Sequence, residues 1–492
     1  MHPTCLPGPF GIGEIGPEAY RFIDFLLASG QTYWQILPLS PTDESNSPYS
    51  GLSAFAGNPL LISLDELYRS GYVSEKDMKN TPVFSDQRVE FEQVIPFKIK
   101  LLEKAYHNFK SAANNTKKEE YLQFCQSHKY WLDDFALFMT LLEKNNNKCW
   151  QDWPTGLRSK DKKEISKAKK ELFASLNKHK FLQWQFYQQW FKLKLYANQH
   201  GIKIIGDIPF FIAMNSTDVW SHSDLYCFND RLEPLLVSGV PPDYFSDTGQ
   251  LWGHPIYRWD KMAEENYKWW IHRFRMMSMK ADIVRIDHFR GIYDYWEVLA
   301  DETTAMNGRW VNGPGADFLH AITKALGDLV IIAEDLGDFD AESRAGVDKL
   351  KKKFGYPGMK IVQFGFSNGP GDLFLPHNFS RDCVAYTGTH DNDTVRGWYE
   401  VTSTDHERHY VRKYLGTNCS DISWDLIRIT WASTAHTAIT TVQDLLSLGH
   451  EKRMNTPSTV NSENWSWRLL PAALNEDISK KLRELTEIFG RL

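Results

Sequence analysis

Four acidic residues close short runs of apolar or β-branched residues in this chain. They are Asp207 in Gly206-Asp207-Ile208-Pro209, Asp287 in Arg285-Ile286-Asp287-His288, Glu334 in Ala333-Glu334-Asp335-Leu336-Gly337, and Asp391 in Thr389-His390-Asp391-Asn392. Residues two apart on a strand share a face, so Arg285 and Asp287 point the same way. A guanidinium beside a carboxyl favours the ionised form that a nucleophile requires. Glu334 follows Val330-Ile331-Ile332-Ala333, an apolar run that desolvates it. Desolvation raises a carboxyl pKa and suits a general acid. One ionised and one protonated carboxyl form the pair that retaining glycoside chemistry needs, and a third acid can hold sugar hydroxyls. Each acid taken alone reads equally well as a buried ion pair, since structural networks also perturb titration. Four at strand ends favour chemistry. His390, Asp391 and Asp393 could instead ligate a divalent ion. No other His stands at a ligand-like spacing, so no metal and no cofactor is expected.

The elements that must position these acids alternate strand, loop and helix. Strands are predicted at Thr32–Leu37, Lys203–Ile208, Asp282–Asp287, Leu329–Glu334, Lys360–Phe364, Cys383–Thr387 and Ile439–Asp444. Alternation of this kind implies a parallel sheet covered by helices, and seven or eight units imply an α/β fold closed as a (β/α)8 TIM barrel. Side chains at the C-terminal strand ends would then converge on one rim. A doubly wound open sheet is the alternative, but no G-x-G-x-x-G or Walker-type loop follows an early strand.

Residues 1–64 read as the start of the barrel, 65–200 as a mainly helical insertion subdomain, and 201–492 as the remainder. The Lys-rich run Ser159–Lys170 reads as a solvated helix face. Residues 215–260 read as a long ordered loop carrying Gly239-Val240-Pro241-Pro242-Asp243-Tyr244-Phe245, and loops of that length are commonly functional.

At 492 residues the chain is too long for a minimal binding module, and a net charge of -6 lacks the basic footprint of a nucleic-acid binder. No apolar window is long enough for a membrane helix, and the N-terminus shows no signal-peptide pattern. Six scattered cysteines without a C-x-x-C pair fit a cytoplasmic location better than a disulfide framework. The 18 Trp, 21 Tyr and 29 Phe exceed what a hydrophilic chain needs for ordinary packing, and some are expected to hold ligand.

Taken in order, the motifs resemble those of the 4-alpha-glucanotransferases of glycoside hydrolase family 77, also called amylomaltases or disproportionating enzymes, in the alpha-amylase clan. The segments carrying the resemblance are His2-Pro3-Thr4 through Gly11-Ile12-Gly13, Ser47-Pro48-Tyr49, Ser53-Ala54-Phe55-Ala56-Gly57-Asn58-Pro59, Gly249-Gln250-Leu251-Trp252-Gly253 and Arg453-Met454-Asn455, together with the four acidic motifs above. The resemblance implies that Asp287 is the nucleophile, Glu334 the acid/base and Asp391 the third carboxylate. It implies further that Arg285 orients Asp287, and that His390, Asp207, Ser47 and Tyr49 line the subsite of the reacting glucose. Gln250 and Trp252 would fall on a loop arching over the glucan, with Tyr244 and Phe245 behind them, and Asn455 on a late loop facing substrate. For Tyr49 and Trp252 the alternative is core packing.

The implied partners are malto-oligosaccharides and starch- or glycogen-derived glucans, with glucose as an acceptor, and neither nucleic acid nor membrane. The implied reaction moves a 1,4-alpha-glucan segment to a 4-hydroxyl with retention. Its alternatives are a mainly hydrolytic alpha-glucan enzyme and a non-catalytic glucan binder. The family pattern places a strand ahead of His2, so the first barrel strand is expected to be wholly or partly missing, with the native start upstream or the chain truncated. Ser458 stands where the family has Gly, a position suited to positive φ. His254 stands where it often has Asn.

Overall fold

The computed structural model describes residues 1–242 and 246–492. Its strands among those residues are β1 (Tyr33–Gln35), β2 (Lys203–Ile208), β3 (Leu236–Val240), β4 (Gln250–Pro255), β5 (Ile283–Ile286), β6 (Asp294–Leu299), β7 (Gly308–Asn312), β8 (Ile331–Ala333), β9 (Gly358–Ile361), β10 (Cys383–Tyr386) and β11 (Thr437–Ile439). Seven of them form one parallel sheet in the order β1-β2-β5-β8-β9-β10-β11. Helices Phe173–Gln199, Lys268–Lys280, Gly315–Leu326, Ala341–Phe354 and Ile422–Ala432 lie on the connections between these strands. This is the (β/α)8 barrel architecture that the alternation implied.

The parity of each strand decides what faces the barrel interior. Ile205, Ile283, Ile332, Met359, Ile361, Val384 and Tyr386 form one buried cluster, while the intervening Ile204, Val284, Ile286, Ile331 and Ala333 join the larger core under the helices. Two residues further along the same inward rows come Asp207, Arg285 and Glu334, and Asp287 follows Arg285. Register places Asp207 beside Arg285, and Arg285 beside Ile332. A slip of one residue would turn every one of these groups outward. The apolar layer below is therefore what fixes the polar layer above it.

β1 and β11 are each paired on one side only, and a cleft of about 610 Å³ lies between them, lined in part by Trp34, Trp431, Leu445 and Leu482.

Between β1 and β2 the main elements are helices, from Leu64–Arg69 to Phe173–Gln199. They share a continuous hydrophobic core with the barrel, in which Phe135, Trp184 and Trp190 join Trp34, Ile204 and Val284. The last of these helices also clamps the segment that follows Tyr49. The side-chain amide of Gln183 both accepts from the Gly57 N–H and donates to the Gly57 carbonyl, each at 2.8 Å, and Gln189 accepts from the Ser63 N–H at 2.7 Å. Gly57 permits the approach, because a Cβ there would come within 2.0 Å of the Phe186 ring.

Three local expectations are corrected. The predicted strand Ile439–Asp444 ends at Ile439, because the Thr441 side chain accepts from the Asp444 N–H and caps a short helix, Val442–Leu445. The strand predicted over Lys360–Phe364 lies at Gly358–Ile361, and a 3-10 turn takes over at Val362. The long loop of 215–260 carries β3 and β4, which join β6 and β7 in a four-stranded antiparallel sheet of order β4-β3-β6-β7. Its strands pair with residues some sixty positions away, for example Leu236 with Leu299, which short-range patterning cannot show.

Candidate active site

Arg285 is the hub of the polar layer. Its guanidinium donates to both oxygens of Asp207, at 2.9 and 2.7 Å, and lies 2.9 Å from Asp287 Oδ1. Arg285 and Asp207 are buried, whereas Asp287 keeps part of its surface open. Burial pushes the Asp207 carboxyl up, and the Arg285 charge works against that rise. The Tyr49 hydroxyl donates to Asp207 Oδ2 at 2.8 Å. Ser47 Oγ accepts from the Tyr49 N–H at 3.2 Å and so shapes the turn that delivers the ring.

Glu334 sits on the adjoining strand end, its two oxygens each accepting from a backbone N–H, His288 at 2.7 Å and Leu336 at 2.9 Å. Burial pushes its carboxyl up to about 7, and neighbouring Asp287 pushes the same way, against Arg285 and the two N–H donors. His288, whose left-handed backbone (φ 51°) presents that N–H, is held at about 4 by burial. The local geometry thus ties the Asp287 loop to the Glu334 carboxyl through one peptide group.

Across the site the Tyr49 and His390 rings stack, with centroids 5.0 Å apart and planes at 17°. His390 Nε2 lies 3.1 Å from Asp391 Oδ2, and Asn455 Nδ2 donates to Asp391 Oδ1 at 2.7 Å. Its surroundings desolvate the Asp391 carboxyl, which alone would raise it, but His390, the Asn455 donor and Arg285 hold it down to about 2. Arg453 locks the late loop in place, donating to the Asp391 carbonyl at 2.5 Å and to the Asn455 carbonyl at 2.6 Å. Replacing Asn455 by Ala removes a hydrogen bond to an ionised group, an interaction of about 1.5–3 kcal/mol. If Asp391 acts in the ionised form, kcat/KM is expected to fall about 10- to 100-fold with the melting temperature little changed, as steady-state kinetics and thermal unfolding would show.

Trp252, the third residue of β4, meets the His288 ring edge to face at 4.9 Å and donates its N–H to Gln250 Oε1 at 3.3 Å. His254 stacks on Phe211 with planes at 9° and is within 3.3 Å of Ser238 Oγ. Tyr244 and Phe245 lie outside the described residues. Asp393, a member of the metal alternative, pairs with His450 at 2.6 Å, and among the described residues no cluster of His, Cys, Asp and Glu could hold a metal ion.

Apart from Tyr244 and Phe245, the eleven residues that the resemblance places in the site are linked by these contacts, Gln250 through Trp252 and Trp252 through His288, and the structure adds others. Trp465 lies 6.0 Å from the Tyr49 ring and 5.8 Å from that of His390, and Arg453 and His288 join through the contacts above. Trp465 was findable only as an aromatic in the polar stretch Asn464-Trp465-Ser466. Arg453 lay within a quoted motif, but nothing in its spacing pointed to Asp391.

A protonated carboxyl near neutrality beside a second carboxyl in contact with a guanidinium is what cleavage of a glycosidic bond asks of a protein, and the barrel supplies both from adjacent strand ends. The class is that of a glycoside-processing barrel enzyme. The family model of 4-alpha-glucanotransferase matches residues 1–473. A 4-alpha-glucanotransferase of Clostridium butyricum is 46% identical over 100% of both chains, and that of Thermus thermophilus 42% identical over 100% of this chain and 98% of its own. The amylomaltase of Streptococcus agalactiae, solved in complex with acarbose, superposes with a TM-score of 0.95 at 39% identity, covering 100% of this chain and 98% of that one. The chain belongs to the 4-alpha-glucanotransferase family, glycoside hydrolase family 77. Its activity is the transfer of alpha-1,4-glucan segments, rather than hydrolysis as the main outcome.

Proposed function

We propose that Asp287 is the nucleophile and Glu334 the acid/base of a retaining double displacement. Glu334 gives its proton to the glycosidic oxygen as that bond breaks, and an Asp287 oxygen bonds to the anomeric carbon. The shortened glucan leaves with the proton. Glu334, now a carboxylate, takes the proton of an acceptor 4-hydroxyl, whose oxygen displaces Asp287 and restores the alpha linkage. Arg285 orients Asp287 and Asp207, and ionised Asp391 accepts sugar hydroxyls. Tyr49, His390 and Ser47 shape the pocket of the reacting glucose. Trp252 and Gln250 cover the bound glucan, and Asn455 steadies Asp391. The observation that carries this reading is the desolvated Glu334, pushed up to about 7, next to an Asp287 in contact with Arg285.

Donors in this reading are malto-oligosaccharides and starch- or glycogen-derived glucans, and glucose serves as an acceptor. The acarbose bound by the Streptococcus agalactiae relative supports a glucan-shaped donor site. Water and acceptor compete for the same intermediate, so a covered site favours transfer. Incubation with maltotriose is expected to yield glucose plus a ladder of longer oligomers by chromatography; glucose and maltose alone would reject the reading. We place the protein in the cytosol, which its six free cysteines support. The division into a barrel start at 1–64, a helical subdomain at 65–200 and the remaining barrel at 201–492 belongs to the same proposal.

A further inference from the structure

Strand β4 is bulged where it passes the site. Val237 pairs with Pro255 and Gly239 with Leu251, so β4 takes four steps along the chain where β3 takes two, and Gly253 adopts φ 72° within the surplus. A bulge re-aims the side chains beside it. Trp252 and His254, on either side of Gly253, both reach Phe211, whose ring centroid lies 6.2 Å from each of theirs. Phe211 also meets the His288 ring at 6.2 Å.

These rings form one wall of the site, and Tyr49, His390 and Trp465 form another. Among the described residues no ring contact joins the two. Glu334 belongs to the first wall, because its Oε2 accepts from the His288 N–H. An acid/base must touch the glycosidic oxygen, and that oxygen leads away from the reacting glucose into the leaving sugar. The wall that continues from Glu334 through His288 to Trp252 and His254 therefore faces the leaving sugar, and later the acceptor that takes its place.

On that wall His254 carries an unused hydrogen-bonding atom. The ring is half-buried, and its Nδ1 lies 3.3 Å from Oγ of the fully buried Ser238. Its Nε2 makes no hydrogen bond with a described residue, and unlike the Nε2 of His288 it is not sealed from solvent. Burial holds the imidazole down to about 4, against the opposing effect of the Asp287 carboxylate, so the ring is neutral at neutral pH. A neutral ring with Nδ1 occupied offers one bond at Nε2, as donor or as acceptor according to the tautomer. A sugar hydroxyl answers either.

We infer that His254 is an acceptor-binding residue, its Nε2 hydrogen-bonding a hydroxyl of the sugar beyond the scissile linkage. That sugar is the leaving glucose in the first displacement and the acceptor in the second. The inference deepens the glucan-transfer reading and rests on it. Water needs no such contact, so losing the bond weakens transfer relative to hydrolysis.

Alpha-maltosyl fluoride tests this, because its leaving group is not a sugar. His254→Phe keeps a ring against Phe211 and removes the nitrogen, whereas His254→Gln returns an amide near the Nε2 position. Single-turnover release of fluoride should differ from native by less than about twofold in both. With the fluoride as donor, the KM for glucose as acceptor should rise about three- to tenfold in His254→Phe, as loss of one neutral hydrogen bond implies, and recover in part in His254→Gln. The share of maltosyl groups passed to water should rise with it. Among 2-, 3- and 6-deoxyglucose, one should show the same loss with native enzyme and no further loss with His254→Phe. An unchanged glucose KM in His254→Phe would overturn the inference, and so would a loss of fluoride release in step with the rise in KM. Should His254→Phe fail to fold, an unchanged KM in His254→Ala would count the same way. Failure of the glucan-transfer reading would show separately, as native enzyme that releases fluoride yet passes nothing to glucose.

Discussion

Asp287→Ala is expected to lower turnover on maltotriose by on the order of 10⁴-fold or more while leaving glucan binding measurable. The magnitude follows from what the side chain is asked to do. A covalent intermediate splits one difficult displacement into two easier ones, and no neighbour can take over the attack. Asp207 is committed to Arg285 by two short contacts and to the Tyr49 hydroxyl, and Asp391 is held by His390 and Asn455. The substitution also frees one flank of Arg285, whose remaining partner Asp207 keeps it paired, so the fold should survive. Small anions offer a positive control. Azide occupying the space vacated by the carboxylate is expected to restore part of the first step and to give a glycosyl azide of inverted configuration, detectable by mass spectrometry and NMR. Retained activity without azide would remove Asp287 from the role.

Inward parity explains how much of this was legible in the sequence. Asp207, Arg285 and Glu334 could be assigned to one rim because each lies two residues beyond an apolar residue on the same strand row, Ile205, Ile283 and Ile332. Period-two alternation is a local property, and it survives into the fold wherever both faces of a strand are buried. What stayed hidden depended on contacts between distant segments. The antiparallel sheet of β3, β4, β6 and β7 needs pairings such as Val237 with Val298, and Trp252 gains its place over His288 only through it. Arg453 reaches Asp391 across 62 positions, and Trp465 approaches Tyr49 with its own backbone at φ 63°. Ser458 adopts φ 61°, a left-handed conformation that favours Gly and costs a residue with a side chain local strain.

Glu334→Gln is expected to remove the alkaline limb of the pH profile along with most of the activity. With its carboxyl at about 7, Glu334 is protonated below that pH and ionised above it. Proton donation to the leaving oxygen is therefore available below about 7 and lost above it, so kcat/KM of the native enzyme should fall as pH rises through that value. Asp391, held at about 2, stays ionised across the whole range and adds no limb there. An amide of the same shape has no proton to give. Loss of a positioned acid typically costs about 10²- to 10⁴-fold, and the residual rate should be flat with pH through neutrality. The leaving group then becomes the diagnostic. Alpha-maltosyl fluoride, whose fluoride departs with little need of a proton, should be cleaved by Glu334→Gln at a rate far closer to native than maltotriose is. The second displacement would remain slow, because deprotonating an acceptor hydroxyl also depends on Glu334, so glycosyl-enzyme on Asp287 should accumulate and be visible as a mass increment on the intact protein. A Glu334→Gln enzyme equally impaired on the fluoride and on maltotriose would place the acid elsewhere.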